Sequence, residues 1–251
     1  MPNFNGVRQT EDPSSCRGYT MAKPLVIFGS AEIAALAKFY FESDTDREVC
    51  CFSVDDDYLD KVSFEGLPLV PFSELVKRYP PHEFDAHVAL SYVKLNSLRQ
   101  EKYEQMKAVG YSMASYVCSK SVIWPDAVIG ENCFILENQT IQPNVIIGNN
   151  VTLWSGNHIG HGTRINDHVY LASHVVVSGH CVIGERSFIG VNATLKDFCN
   201  VGNDCFVAMG ADVTVDMADG STALGQSASI FNSDDRRSKA VKKKFFKFED
   251  C

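Results

Sequence analysis

Five of the seven histidines in this 251-residue chain fall between His158 and His180, so acid–base or metal chemistry would sit in this segment. No CxxC pair accompanies them, and no metal site is expected. His161 stands apart from the other four because Gly179 follows it by eighteen residues. A general base and a backbone N–H that steadies an oxyanion are the two functions acyl transfer needs. The two residues can meet only if eighteen residues make one turn of a coil.

The chain meets that condition. Every sixth residue from Val117 to Val213 is Val, Ile or Leu. A period of six fits neither one amphipathic helix nor one flat strand; it requires a short strand and a corner, repeated, as in a hexapeptide β-helix. Three hexads make a triangular coil, and neighbouring coils lie about 4.8 Å apart, the ordinary strand spacing. His161 and Gly179 therefore occupy the same corner on adjacent coils. The position two before each aliphatic residue is mostly small, and Cys133, Cys181, Cys199 and Cys205 all fall on it, which reads as reduced thiols packed in the core. Gln139 and Asn157 also fall there, and an inward amide needs a partner within the stack. Gly follows the aliphatic residue at Gly130, Gly148, Gly160, Gly184, Gly190 and Gly202, where a corner calls for an unusual backbone conformation. His168, His174 and His180 share one phase, so they lie on successive faces and read as surface residues.

The rest of the chain frames this repeat. Residues 1–20 are polar and aperiodic and read as a tail. Residues 21–114 alternate apolar strands (near 25–28, 49–52, 67–70 and 86–90) with helices (after Ser30, near 73–78 and near 95–109), which implies a small parallel sheet with helices on its faces. The β-helix spans 115–213. Residues 214–251 read as a Gly/Ser/Ala-rich cap and a basic, helix-prone tail at 234–248. That tail is a solvated terminal helix, or else it contacts an anionic ligand or a membrane surface. A net charge of −8 argues against a nucleic-acid partner. No spanning segment or signal peptide is legible, so the expected compartment is cytoplasmic.

Several segments carry a family resemblance: PLVIFGSAEIAAL, CCFSVDDD, LRQEKYEQMKAVGY, HIGHGTRI around His161, VVVSGHCVIGERSFIG around Gly179, MGADVTVDM and LGQSAS. Over about residues 23–228 the chain resembles bacterial nucleotide-sugar acyltransferases. These have an α/β nucleotide-sugar-binding domain ahead of a left-handed β-helix, and include acetyl-CoA-dependent N-acetyltransferases of 4-amino-4,6-dideoxy sugars and sialic-acid O-acetyltransferases. The resemblance implies His161 as catalytic base and the Gly179 amide as the group that binds the thioester carbonyl. It also implies Gly190, Gly210 and Ala211 near the acetyl-CoA groove, although corners alone would equally call for these small residues. A homotrimer is implied, with CoA lying between neighbouring β-helices. Gly29 and Ser30, at a strand-to-helix turn, would offer N–H groups to the nucleotide phosphates, and Asp55 and Asp56 match the family's acidic pair for ribose or base. The chain departs from the family at Gly162, where an acidic residue usually follows the histidine. It departs again at Tyr170 and Trp154, where some members carry His and Asn. The function implied is acetyl transfer to the amine of a nucleotide-linked amino-deoxy sugar in surface-glycan synthesis. Sugar O-acetylation, another acyl donor, and a non-catalytic trimeric scaffold that binds a nucleotide sugar are the alternatives.

Overall fold

A run of four wholly apolar residues bounded by Pro24 and Gly29 is suited to a strand covered on both faces, and Leu25–Phe28 forms such a strand, β1, at the heart of an α/β unit. The computed structural model describes residues 22–247; the expected tail at 1–20 lies outside the described residues. After β1 come α1 (Glu32–Asp44), β2 (Val49–Val54), β3 (Ser63–Phe64), β4 (Leu67–Pro71), α2 (Phe72–Arg78), β5 (Asp85–Val88) and α3 (Ser97–Ala108). The sheet order is β3-β4-β2-β1-β5. All neighbours pair in parallel except β3, a short antiparallel edge joined to β4 through Glu65 and Gly66, both at positive φ. From β1 the chain moves outward through β2 and β4, then returns to the opposite side of β1 as β5. The order thus reverses between β1 and β5, and a crevice opens at their C-terminal ends. Gly29 shapes its floor: its φ is +131, and a Cβ there would lie 2.7 Å from the Ala89 carbonyl oxygen.

From Tyr116 onward, two-residue strands stack into three parallel sheets with a register of eighteen residues, as Thr140↔His158↔Val176 and Tyr170↔Phe188↔Phe206 illustrate. Face 1 carries Tyr116–Val117 through Thr222–Ala223, face 2 Val122–Ile123 through Asp212–Val213, and face 3 Val128–Ile129 through Asn200–Val201. The aliphatic ladder and the small inward residues, including all four expected cysteines, form one continuous core. The two inward amides find partners in the stack. Gln139 Nε2 donates to the Leu136 and Trp154 carbonyls at 3.0 and 2.8 Å, and Asn157 Oδ1 accepts from Val175 N at 2.7 Å.

Two expectations need correction. The glycines that follow the aliphatic positions do not hold the unusual conformation. Every sixth residue from Asn132 (φ 53) to Gly210 (φ 63) does, two places further along, where Asn and Gly tolerate the left-handed region. The glycines serve close approach instead: a Cβ on Gly160 would lie 2.6 Å from the Gly179 nitrogen, and one on Gly184 2.4 Å from the Gly202 carbonyl carbon. The repeat also runs past Val213. Thr222–Ala223 pairs with Phe206–Val207, and Asn203 and Asp219, sixteen residues apart, keep the ladder contact, so the last coil is two residues short. That shortening removes the aliphatic from its expected phase.

The α/β unit sits on face 1. Ala34, Ala37 and Phe41 of α1 share a core with Tyr116, Phe134 and Leu136. A polar seam runs beside it. Asn132 Oδ1 accepts from Val88 N at the end of β5 (2.8 Å), Asn132 Nδ2 donates to Asn150 Oδ1 (2.7 Å), and Asn150 Nδ2 faces His168 Nδ1 (2.9 Å). His168 is therefore not a surface residue; it packs edge-on against Tyr103 of α3 and is 6% exposed. Burial and the nearby Arg99 push its pKa down to about 4, and burial does the same to His87, whose Nδ1 meets the Ala114 carbonyl. The unfolded chain binds protons at these residues near 6.5, whereas the folded chain binds them only near 4. Stability is thus complete above about pH 6.5 and declines as pH falls toward 4. Urea midpoints at pH 7 and pH 5 check this; equal midpoints would show that neither imidazole is held neutral by the seam.

Candidate functional site

His161 opens the corner that leaves face 2 after His158–Ile159, and Gly179 holds the same place one coil later. The expected juxtaposition is present. A Cβ built on Gly179 would lie 2.7 Å from His161 Cε1 and 3.1 Å from Nε2, so the imidazole rests in the space a side chain would take. Gly179 is required there by the ring above it. The ring's tautomer is fixed by Gln142, one coil earlier. Gln142 Oε1 accepts from the His161 backbone N–H at 2.9 Å and lies 3.2 Å from Nδ1. Because a backbone N–H only donates, the Gln142 atom there is its oxygen, and Nδ1 must carry the ring proton. Nε2 is left as the basic nitrogen. A neutral amide thus orients the ring where an acidic neighbour is usual, and Gly162, at φ +67, only turns the corner.

Two other neighbours were not singled out by spacing. Asp197, one coil beyond Gly179, accepts the Gly179 N–H through Oδ1 at 2.9 Å. His180 crosses the His161 ring edge to face with centroids 4.8 Å apart, and stacks on Phe198 at 5.1 Å. The signal for both lay in the repeat: residues eighteen apart stack, and His180 sits next to Gly179 at the left-handed corner position.

A cavity of about 1030 Å³ opens elsewhere, between the β1/β5 crevice and face 1. Ala31, Glu32 and Ile33 at the start of α1 and residues 89–93 after β5 form one wall. Trp154, Tyr170, Phe188, Phe206 and Gly190 form part of the other. Tyr170 and Phe188 stack nearly parallel at 5.3 Å, Tyr92 meets both edge-on, and the Trp154 indole N–H donates to the Tyr170 hydroxyl. Glu32 is the sole charged side chain of the lining. The N-terminus of α1 has no side-chain cap, so its free N–H groups supply the positive pole at that end.

The remaining expected residues divide. Gly29 and Ser30 precede the cavity wall directly, but the Gly29 N–H is already given to the Ser53 carbonyl at 2.8 Å. Asp55 and Asp56 do not line the cavity. Asp55 pairs with Lys102 Nζ at 2.9 Å, and Asp56 accepts from Ser73 N at 3.1 Å at the start of α2; the Ser73 side chain and backbone N–H together lower its pKa. Gly190 lines the cavity with the α/β unit and is not beside His161. Gly210 is exposed at φ +63, while Ala211 turns its methyl into the β-helix core, leaving only its backbone for a ligand. The 89–93 loop was missed because it carries no motif; only the order of the sheet places it at the crevice. Among the described residues, no group of three or more His, Cys, Asp or Glu could hold a metal ion, and no helix is long and apolar enough to cross a membrane.

Residues 126–161 and 144–179 match the bacterial transferase hexapeptide (six repeats) model. The matched residues lie within the β-helix, from its third to its eleventh hexad-length step. No curated protein sequence matches the chain significantly. In fold the chain is similar to the acetyltransferase domain of PglB from Neisseria gonorrhoeae, with 21% identity over 81% of this chain and 100% of that one and a TM-score of 0.71. It is also similar to PerB from Caulobacter crescentus, whose structure is a complex with CoA and GDP-perosamine (22% identity, 83% and 97% coverage, TM-score 0.73). WeeI from Acinetobacter baumannii follows at 19% identity, 83% and 99% coverage and a TM-score of 0.50. These likenesses establish the shared architecture of an α/β unit on a left-handed β-helix of hexapeptide repeats.

Proposed function

We propose that the chain is an acyltransferase that moves an acetyl group from acetyl-CoA to the amine of a nucleotide-linked amino-deoxy sugar. The observation that carries this reading is the His161 imidazole resting on Gly179 with its basic Nε2 left open. The sugar amine attacks the thioester carbonyl carbon while Nε2 takes its proton. The oxyanion that develops is held by the Gly179 N–H, and the tetrahedral intermediate collapses with departure of the CoA thiolate, to which the imidazolium returns a proton. Asp197 occupies that N–H in the resting chain, so it must turn aside as the thioester arrives.

The aromatic-walled cavity fits the nucleotide sugar. It has the volume such a ligand needs, it lies at the switch point of the sheet, and the uncapped α1 N-terminus meets phosphate there. His161 does not line it: the cavity opens on face 1 and the histidine follows face 2. A site that uses both is therefore assembled from two neighbouring chains, as they would lie in the homotrimer that the family resemblance implies and that we propose here. The PerB complex with CoA and GDP-perosamine, and the PglB domain in complex with acetyl coenzyme A, support the same pairing of substrates on this fold. Thiol release from acetyl-CoA, followed across a panel of nucleotide-linked sugars bearing amine or hydroxyl acceptors, tests the reading. Turnover restricted to amino sugars is expected. Nucleotide-sugar binding with no thiol release from any acceptor would leave only a scaffold.

A further inference from the structure

Helix α4 (Arg236–Phe246) has no part in the site and buries none of its residues. Seven of the twelve residues 236–247 are Lys or Arg and none is acidic, in a chain whose net charge is −8. Val241 and Phe245 lie four apart on one side of the helix and are 50% and 68% exposed. Arg236, Lys239 and Lys243 line the opposite side at helical spacing. Asp235 caps the N-terminus through Arg237 N at 2.8 Å. A helix of this length without tertiary packing is marginal in water, so a surface must hold it.

We propose that α4 is a peripheral anchor that lies on an anionic lipid bilayer, with its lysines over the headgroups and Val241 and Phe245 at the acyl boundary. The bilayer surface satisfies both faces at once: it supplies the negative charge and also an apolar layer for Val241 and Phe245. A phosphodiester backbone offers no such layer.

Full-length protein is floated with vesicles of phosphatidylcholine alone and with vesicles containing one-third phosphatidylglycerol. Binding is expected only to the anionic vesicles, and is expected to weaken with added salt. A Lys242→Gln/Lys243→Gln/Lys244→Gln variant is expected to bind about a hundredfold more weakly, since each lysine near the surface contributes about fivefold. A Val241→Ser/Phe245→Ser variant is expected to lose binding as well, which separates insertion from simple charge attraction. An unchanged thermal midpoint for each variant confirms that the fold is intact. The proposal is overturned if wild-type protein ignores both vesicle types or binds them equally, or if the lysine variant binds as wild type does. Self-association through α4 that persists in the presence of vesicles would overturn it too.

Discussion

His161→Ala is expected to lower kcat for acetyl transfer by about 10²- to 10⁴-fold and to leave KM for the sugar nucleotide nearly unchanged. In the proposed reaction the imidazole acts in the transition state, when the attacking nitrogen loses its proton, and the cavity proposed for the nucleotide sugar lies on another face. The loss should therefore appear in turnover rather than in affinity. Gln142→Ala provides the companion measurement. Without Gln142 Oε1 the Nδ1–H loses its partner, both tautomers become populated, and the remaining activity should fall less than in the alanine variant. Gly179→Ala introduces a methyl 2.7 Å from His161 Cε1, so the ring must move and kcat should fall without any change of charge. Steady-state thiol-release kinetics on the three variants decide the matter. Turnover near wild type in His161→Ala would sink the base assignment outright.

Arg99→Met is expected to destabilise the protein by about 3–5 kcal/mol, read from urea unfolding. Arg99 projects from α3 into the seam between the two units and is 1% exposed. Its guanidinium has no carboxylate among its partners. It donates instead to backbone: to the Asn150 carbonyl through Nη1, and to the His168 carbonyl at 2.9 Å through Nη2, which also reaches Asn96 Oδ1 at 3.1 Å. Burial lowers its pKa to about 10, which still leaves a cation at neutral pH. Methionine would fill the space while leaving the Asn150 and His168 carbonyls without the guanidinium. Arg99→Lys should recover little, because one ammonium cannot span acceptors on two coils. A loss below about 1 kcal/mol, the size of an ordinary surface change, would show that water replaces the guanidinium without cost.

The coil was fully legible in the sequence because its cause is local and repeated. A core aliphatic at every sixth position from Val117 leaves no other register, and the same counting placed the four cysteines inside and His161 over Gly179. The amphipathic spacing of α1 and the apolar run of β1 were legible for the same reason. Counting also misled where the period hid a second requirement. It put the strained backbone on the glycines, although the left-handed corner falls two residues later, because the glycines are selected by the proximity of the next coil and not by their own torsions. It placed His168 on the surface, since the hexad knows nothing of the α/β unit that covers face 1.

The sequence by itself thus determined the β-helix and the pairing of His161 with Gly179, since both follow from distances along one chain that repeats every eighteen residues. The tertiary structure alone decided the rest. It showed that Gln142 orients the histidine and that Asp197 holds the glycine amide. It placed a seam of Arg99, Asn150 and His168 between the units, and it formed the cavity from the 89–93 loop and an aromatic wall far from that loop in sequence. The eighteen-residue period brings Gln142 and Asp197 near the site without specifying their hydrogen bonds, whereas Arg99 in the seam and the two walls of the cavity are joined across separations that obey no period. Only packing one unit on another, to bury their facing apolar surfaces, brings these last together.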